Sequence, residues 1–162
     1  MIATGRNTDA LQSLLSRGAD EIVNLTDTDA LNNTLQATFE RGVDIVLDYL
    51  WGPSAEEIIA AATSVAPSDQ SIRFIQIGTA SAPTITLPGS PLHSSRIELA
   101  GSGIGSVSPA AISEILTKLL NAARAARFTL ETRAFPLDRV GDAWSIQAAT
   151  PRIVLTMNQH SR

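Results

Sequence analysis

Five times along this chain a short apolar run precedes the next helix or loop, and this alternation limits the fold more than any other feature. The runs are residues 1–4 (MIAT), 21–25 (EIVNL), 43–50 (VDIVLDYL), 72–78 (IRFIQIG) and 96–100 (RIELA). Between them, Leu11, Leu14 and Leu15 share one face of a first helix, and Leu31, Leu35 and Phe39 mark a second. Ile58, Ile59, Ala62 and Val65 mark a third, and Ile112, Ile115, Leu116, Leu119 and Leu120 the longest. Gly18 and Gly42 suit helix C-termini, where a left-handed residue stops the helix. Ser54 with Glu57 predicts a capping box, and Ser108-Pro109 predicts the start of the longest helix. A loop rich in proline fills 79–92. Such a succession predicts an α/β fold, with a mainly parallel sheet flanked by helices and right-handed crossovers. The core of 43–50, Val43-Asp44-Ile45-Val46-Leu47, suits a strand covered on both faces. Strands at 128–135 and 152–157, with a short helix over 138–148, come at closer spacing and are expected to leave the main sheet.

Composition narrows the function. The net charge is −4 and there is no basic run, which disfavours nucleic acid and anionic membrane as partners. There is no cysteine, so disulfides, thiolate metal sites and cysteine nucleophiles are excluded, and a reducing cytoplasm is the expected compartment. No apolar run approaches a membrane span, and no leader pattern opens the chain. The two histidines, His93 and His160, stand far apart, so no metal site is expected. No serine sits in the nucleophile-elbow pattern of an α/β-hydrolase.

Ligands of open α/β sheets bind outside the carboxyl ends of the strands, so the strand tips carry the chemistry. The first tip is Gly5-Arg6-Asn7. In a dinucleotide fold, an acidic residue at such a tip accepts from the ribose 2′-hydroxyl of NAD, whereas an arginine pairs with the 2′-phosphate of NADP. Arg6 fits the second case, or is a solvated loop residue. The second tip runs from Asp48 to Gly52 and places Tyr49 and Trp51 together in a chain with 4% aromatic residues. Trp51 is a wall of a ligand site or a plug over the core. Gly78 and Thr79 form a third tip, small enough for close backbone approach. The fourth, 98–108, has glycines at 101, 103 and 105, which is the wrong spacing for a pyrophosphate loop. It reads better as a flexible substrate-side or interface loop.

Taken in order, IATGRN, RGADEIVNL, GVDIVLDYLWG, IQIGTAS, FPLDRVGDAW and RIVL resemble the medium-chain dehydrogenase/reductase superfamily, nearest its zinc-free, NADPH-dependent quinone oxidoreductases. The resemblance covers nearly the whole chain and only the second half of such a protein. It implies a Rossmann-like domain over 1–127 that lacks its first strand and glycine-rich turn, then a tail over 128–162 that returns to a catalytic domain. The absent strand would lie between 1–4 and 44–48. Two unpaired edges would then have to pair with each other, with a partner chain, or be covered. The resemblance also implies hydride transfer from NADPH to a quinone or conjugated carbonyl. Gly5, Arg6, Asn7, Gly52, Gly78 and Thr79 would border the cofactor, and Tyr49, the only tyrosine, is a candidate for orienting substrate. NADPH binding is expected to be weak, and turnover by this chain alone absent. Strand 96–100 is the expected edge of a homodimer. The competing reading is a non-catalytic oligomerisation or interaction module that keeps the fold.

Overall fold

The structure is a computed structural model that describes residues 1–146 and 151–157. It divides into two compact units, Met1–Val107 and Ser108–Arg162. The domain boundary implied by the resemblance falls later, at 127/128.

In the first unit, strand β1 (Ile2–Gly5) leads into helix α1 (Thr8–Leu15), and β2 (Glu21–Asn24) into α2 (Thr28–Glu40). β3 (Ile45–Asp48) precedes α3 (Pro53–Val65), and β4 (Ile72–Gln76) precedes the short α4 (Gly89–Ser94) and β5 (Ile97–Gly101). Every pairing is parallel, as alternation requires: β1 lies beside β2, and β4 lies between β3 and β5. Gly18 and Gly42 take φ of +106° and +93°, the left-handed region expected at these turns.

One apolar core serves both sheets. Leu31, Leu35 and Phe39 of α2 join Ile58, Ile59 and Ala62 of α3 and Val23, Ile72, Phe74 and Ile97 of the strands. Ile2 and Val46 pack against the same cluster from the two sheets. Yet β1 and β3 do not pair with each other. Of the three outcomes expected for their free edges, direct pairing is therefore ruled out. The carbonyls of Asp44 and Asp48 accept from Arg73 and Ile77 of the β4 side. In a parallel ladder the backbone groups of successive residues turn to opposite edges, so those of Ile45 and Leu47 face the open side. The same alternation turns Ile2 and Thr4 to the open side of β1, because the Gly5 carbonyl accepts from Leu25.

Four local expectations change. β3 is shorter than 43–50 and is not covered on both faces: Ile45 and Leu47 are 53% and 60% exposed. α3 begins without a capping box, because Pro53 takes the first helical position and Gly52 the N-cap. Proline suits that position since its missing N–H would have no partner there. Ser54 is thus inside the helix, and its hydroxyl donates to the Trp51 carbonyl at 3.5 Å. The 79–92 loop ends in α4, too short to show periodicity.

The second unit holds α5 (Pro109–Ala125), capped by Ser108, whose Oγ accepts from the Ala111 amide at 3.2 Å. Ile115, Leu116, Leu119 and Leu120 along it are exposed. Strands β6 (Thr132–Pro136) and β7 (Arg152–Thr156) pair in parallel as a sheet of their own. β6 starts later than 128. The helix expected over 138–148 is a 3-10 turn, Leu137–Arg139, followed by α6 (Val140–Trp144). Gln147 and Ala148 lie outside the described residues, as does His160.

Candidate functional site

The tips of β3, β4 and β5 border an open cavity of about 390 Å³, lined by Trp51, Phe74, Gln76, Thr79, Pro83 and Leu99 to Gly101. Its floor is sheet: Phe74 is fully buried in β4, and Leu99 to Gly101 belong to β5. Its side wall is Trp51, whose ring meets Phe74 edge-on, with centroids 6.3 Å apart and planes at 61°. Trp51 also packs against the core cluster, so the wall and plug readings both hold.

Two loops interlock above the strands. The amides of Ile77 and Gly78 donate to the Asp48 carbonyl, Ala80 to that of Tyr49, and Ser81 to that of Leu50 at 2.7 Å. Such contact leaves no room for side chains. A Cβ on Gly78 would stand 2.7 Å from the Tyr49 carbonyl oxygen, and one on Gly52 would stand 2.8 Å from the Ala82 Cβ. The Gln76 side-chain Nε2 donates to the Gly78 carbonyl at 3.0 Å and steadies the same turn.

Thr79 thus lines the cavity, while Gly52 and Gly78 shape the loops around it. Tyr49 is 59% exposed and is not a lining residue. Gly5, Arg6 and Asn7 stand apart from that lining, at the tip of β1. Asn7 is the N-cap of α1 and accepts from the Ala10 amide at 2.9 Å. Gly5 faces Leu11, where a Cβ would lie 3.2 Å from a side-chain methyl. Arg6 is exposed and makes no hydrogen bond or ion pair among the described residues, so its guanidinium is available. Sequence reasoning did not single out Phe74, Gln76, Pro83 or Leu99. Phe74 and Gln76 alternate with Arg73 and Ile75 along the strand, and that period was the available signal.

A family model described as zinc-binding dehydrogenase matches residues 17–150. The chain belongs to that dehydrogenase family. This places it in the medium-chain dehydrogenase/reductase superfamily. Solved structures agree on the fold. An NAD-dependent alcohol dehydrogenase, 22% identical, superposes with a TM-score of 0.72 over 97% of this chain and 43% of its own. A Bacillus thuringiensis protein assigned as an NADPH:quinone reductase, 20% identical, gives 0.68 over 97% of this chain and 48% of its own. The CurK enoyl reductase, 21% identical, gives 0.67 over 97% and 47%. The chain spans about half the length of these structures. A search of curated proteins finds no match.

The zinc in the family's name has no donor set here: among the described residues no group of three His, Cys, Asp or Glu side chains could hold a metal ion. No helix among them is long and apolar enough to cross a membrane.

Proposed function

We propose that this chain is the cofactor-binding half of an oxidoreductase that moves hydride from NADPH to a quinone or conjugated carbonyl. The cavity at the tips of β3, β4 and β5 carries the reading. It offers an aromatic wall from Trp51 and apolar surface from Leu99, with the polar groups of Gln76 and Thr79 among them. A nicotinamide ring needs such a pocket, and the enzyme's part in hydride transfer is to orient that ring. Arg6 supplies the second element, a free guanidinium for a 2′-phosphate. A cysteine-free chain of this kind suits the cytoplasm.

No glycine turn of pyrophosphate-binding spacing stands at a described strand tip, and at α1 the Asn7 side chain already takes the Ala10 amide. Affinity of this chain alone is therefore low. Calorimetry with NADPH and NADH tests the reading: measurable binding with preference for NADPH supports it, and equal affinities remove Arg6 from it.

The chain is further proposed to form a homodimer through β5. The amide of Ser102 and the carbonyl of Arg96 bond to β4, so the backbone groups of Ile97, Leu99 and Gly101 face the other edge. Two copies can satisfy those groups, in the commonest closed symmetry. The open edges of β1 and β3 support the second reading, an interaction module, since an unpaired strand is a template for another chain. Dimerisation without any cofactor binding would favour it.

A further inference from the structure

We propose that Asp48 is a positioning residue: its carboxylate locks Trp51 in place as the cavity wall and thereby fits the cavity to a flat ring. That the ring is a nicotinamide rests on the function proposed above; the locking of Trp51 does not.

Trp51 has φ of +58°, in the left-handed region that a bulky side chain rarely occupies. Gly52 follows at +73°, so the chain makes two left-handed steps in succession. Glycine or asparagine would make the first step with less strain. Strain of this kind persists only where the surroundings over-determine it.

Asp48 is what over-determines it. The residue is 5% exposed, and a carboxylate out of water must have its oxygens bonded. Both are bonded to the strained turn: the Leu50 amide donates to Oδ1 at 3.1 Å and the Trp51 amide to Oδ2 at 3.0 Å. Hydrogen bonds to a charged acceptor are the stronger kind. The outcome is an indole held edge-on to Phe74 in a lining that also includes Ala100 and Gly101. A fixed aromatic wall gives a planar ring a face or edge to pack against.

The test uses the full chain carrying Trp144→Phe, which leaves Trp51 as the only tryptophan. Acrylamide quenching and the emission maximum then report the wall without any ligand. Asp48→Ala is expected to raise quenching and shift emission to the red. Asp48→Asn, which keeps one acceptor, should fall between, and it serves if the alanine variant does not fold. Unchanged quenching in a folded Asp48 variant overturns the proposal.

A second arm titrates NADPH into Asp48→Asn, Trp51→Gly and the double variant. Glycine accepts the turn's φ, so Trp51→Gly removes the wall without backbone strain, and circular dichroism checks that the variant, which also loses the indole's core contact, is folded. It should weaken binding about tenfold, the scale of one lost ring contact. Adding Asp48→Asn to it should then cost nothing more. Equal losses from Asp48→Asn with and without Trp51 would show that the carboxylate acts otherwise, and overturn the proposal. If the parent chain binds no NADPH, the nicotinamide reading fails, and the quenching series alone decides the role of Asp48.

Discussion

Replacing Arg6 by alanine is expected to weaken NADPH binding by about 1–3 kcal/mol, the usual loss of a charged hydrogen bond, and to leave NADH binding unchanged. Calorimetric titration of both cofactors into parent and variant checks this. Gly78 makes a different claim, about structure. Its missing Cβ would stand 2.7 Å from a backbone oxygen, which cannot swing aside, so Gly78→Ala should cost about 1–3 kcal/mol in urea unfolding, the range for overpacking. Both residues were visible in the sequence, for unequal reasons. A small residue after a buried strand signals close approach whatever the fold, whereas Arg6 has meaning only if its strand tip faces a ribose. The two backbone bonds of Asp48 left no such trace, because an aspartate at a strand end looks the same whether it is solvated or turned inward. At the chain terminus the Met1 ammonium, by hydrogen bond and by charge, holds the Asp20 carboxyl below its ordinary 3.8. A lowered carboxyl contributes stability above its ordinary value and loses it as pH falls through the lowered one. Acetylating the amine should return the Asp20 titration toward the ordinary value, as followed by carbon-detected NMR.

Strand β3 shows where element-level reading succeeds and where it stops. The run 43–50 identified a strand correctly, because β-branched and aliphatic residues fit a pleated surface. An apolar run says what a strand is suited to, not what lies over it, so the exposure of Ile45 and Leu47 could not be foreseen. The consequence is measurable. Leu47→Thr should change stability by no more than about 0.5 kcal/mol, as at an ordinary surface site. Phe74→Ala, one strand away and fully buried, should cost about 3–5 kcal/mol. Hydrogen exchange should divide the strands likewise, with the Ile45 and Leu47 amides exchanging well before those of β4. The start of α3 was misread for a separate reason. Ser54 and Glu57 have capping-box spacing, but Pro53 is pre-set for the first helical turn and moves the N-cap to Gly52.

For the molecule as a whole, alternation alone gave the α/β class and the parallel pairing, since a parallel neighbour needs a crossover. It did not show that the first unit carries two sheets on one core, because pairing between β1 and β3 is a property of edges and not of periodicity. The 162-residue chain is expected to show no saturable NADPH-dependent quinone reduction, and steady-state turnover lost on heating the protein would contradict this. It is expected to sediment as a dimer at micromolar concentration. Ile97 is a poor handle on that edge because its side chain is in the core. Gly101→Pro is the better one: it deletes an outward N–H, and nothing stands within 4 Å of its Cβ position. A dimer unaffected by that change would not be joined at β5. The uniformly parallel pairing also governs how the chain must reach this state. No described strand meets its neighbour through a hairpin: Ile2 waits for Glu21, Ile45 for Arg73, Ile72 for Ile97 and Thr132 for Arg152. Each first inter-strand bond thus comes only after a loop the size of a whole crossover has closed, with its entropy spent in advance. Refolding from denaturant should therefore be slow, with far-ultraviolet helical signal recovering ahead of tryptophan burial, and with a yield that falls as protein concentration rises.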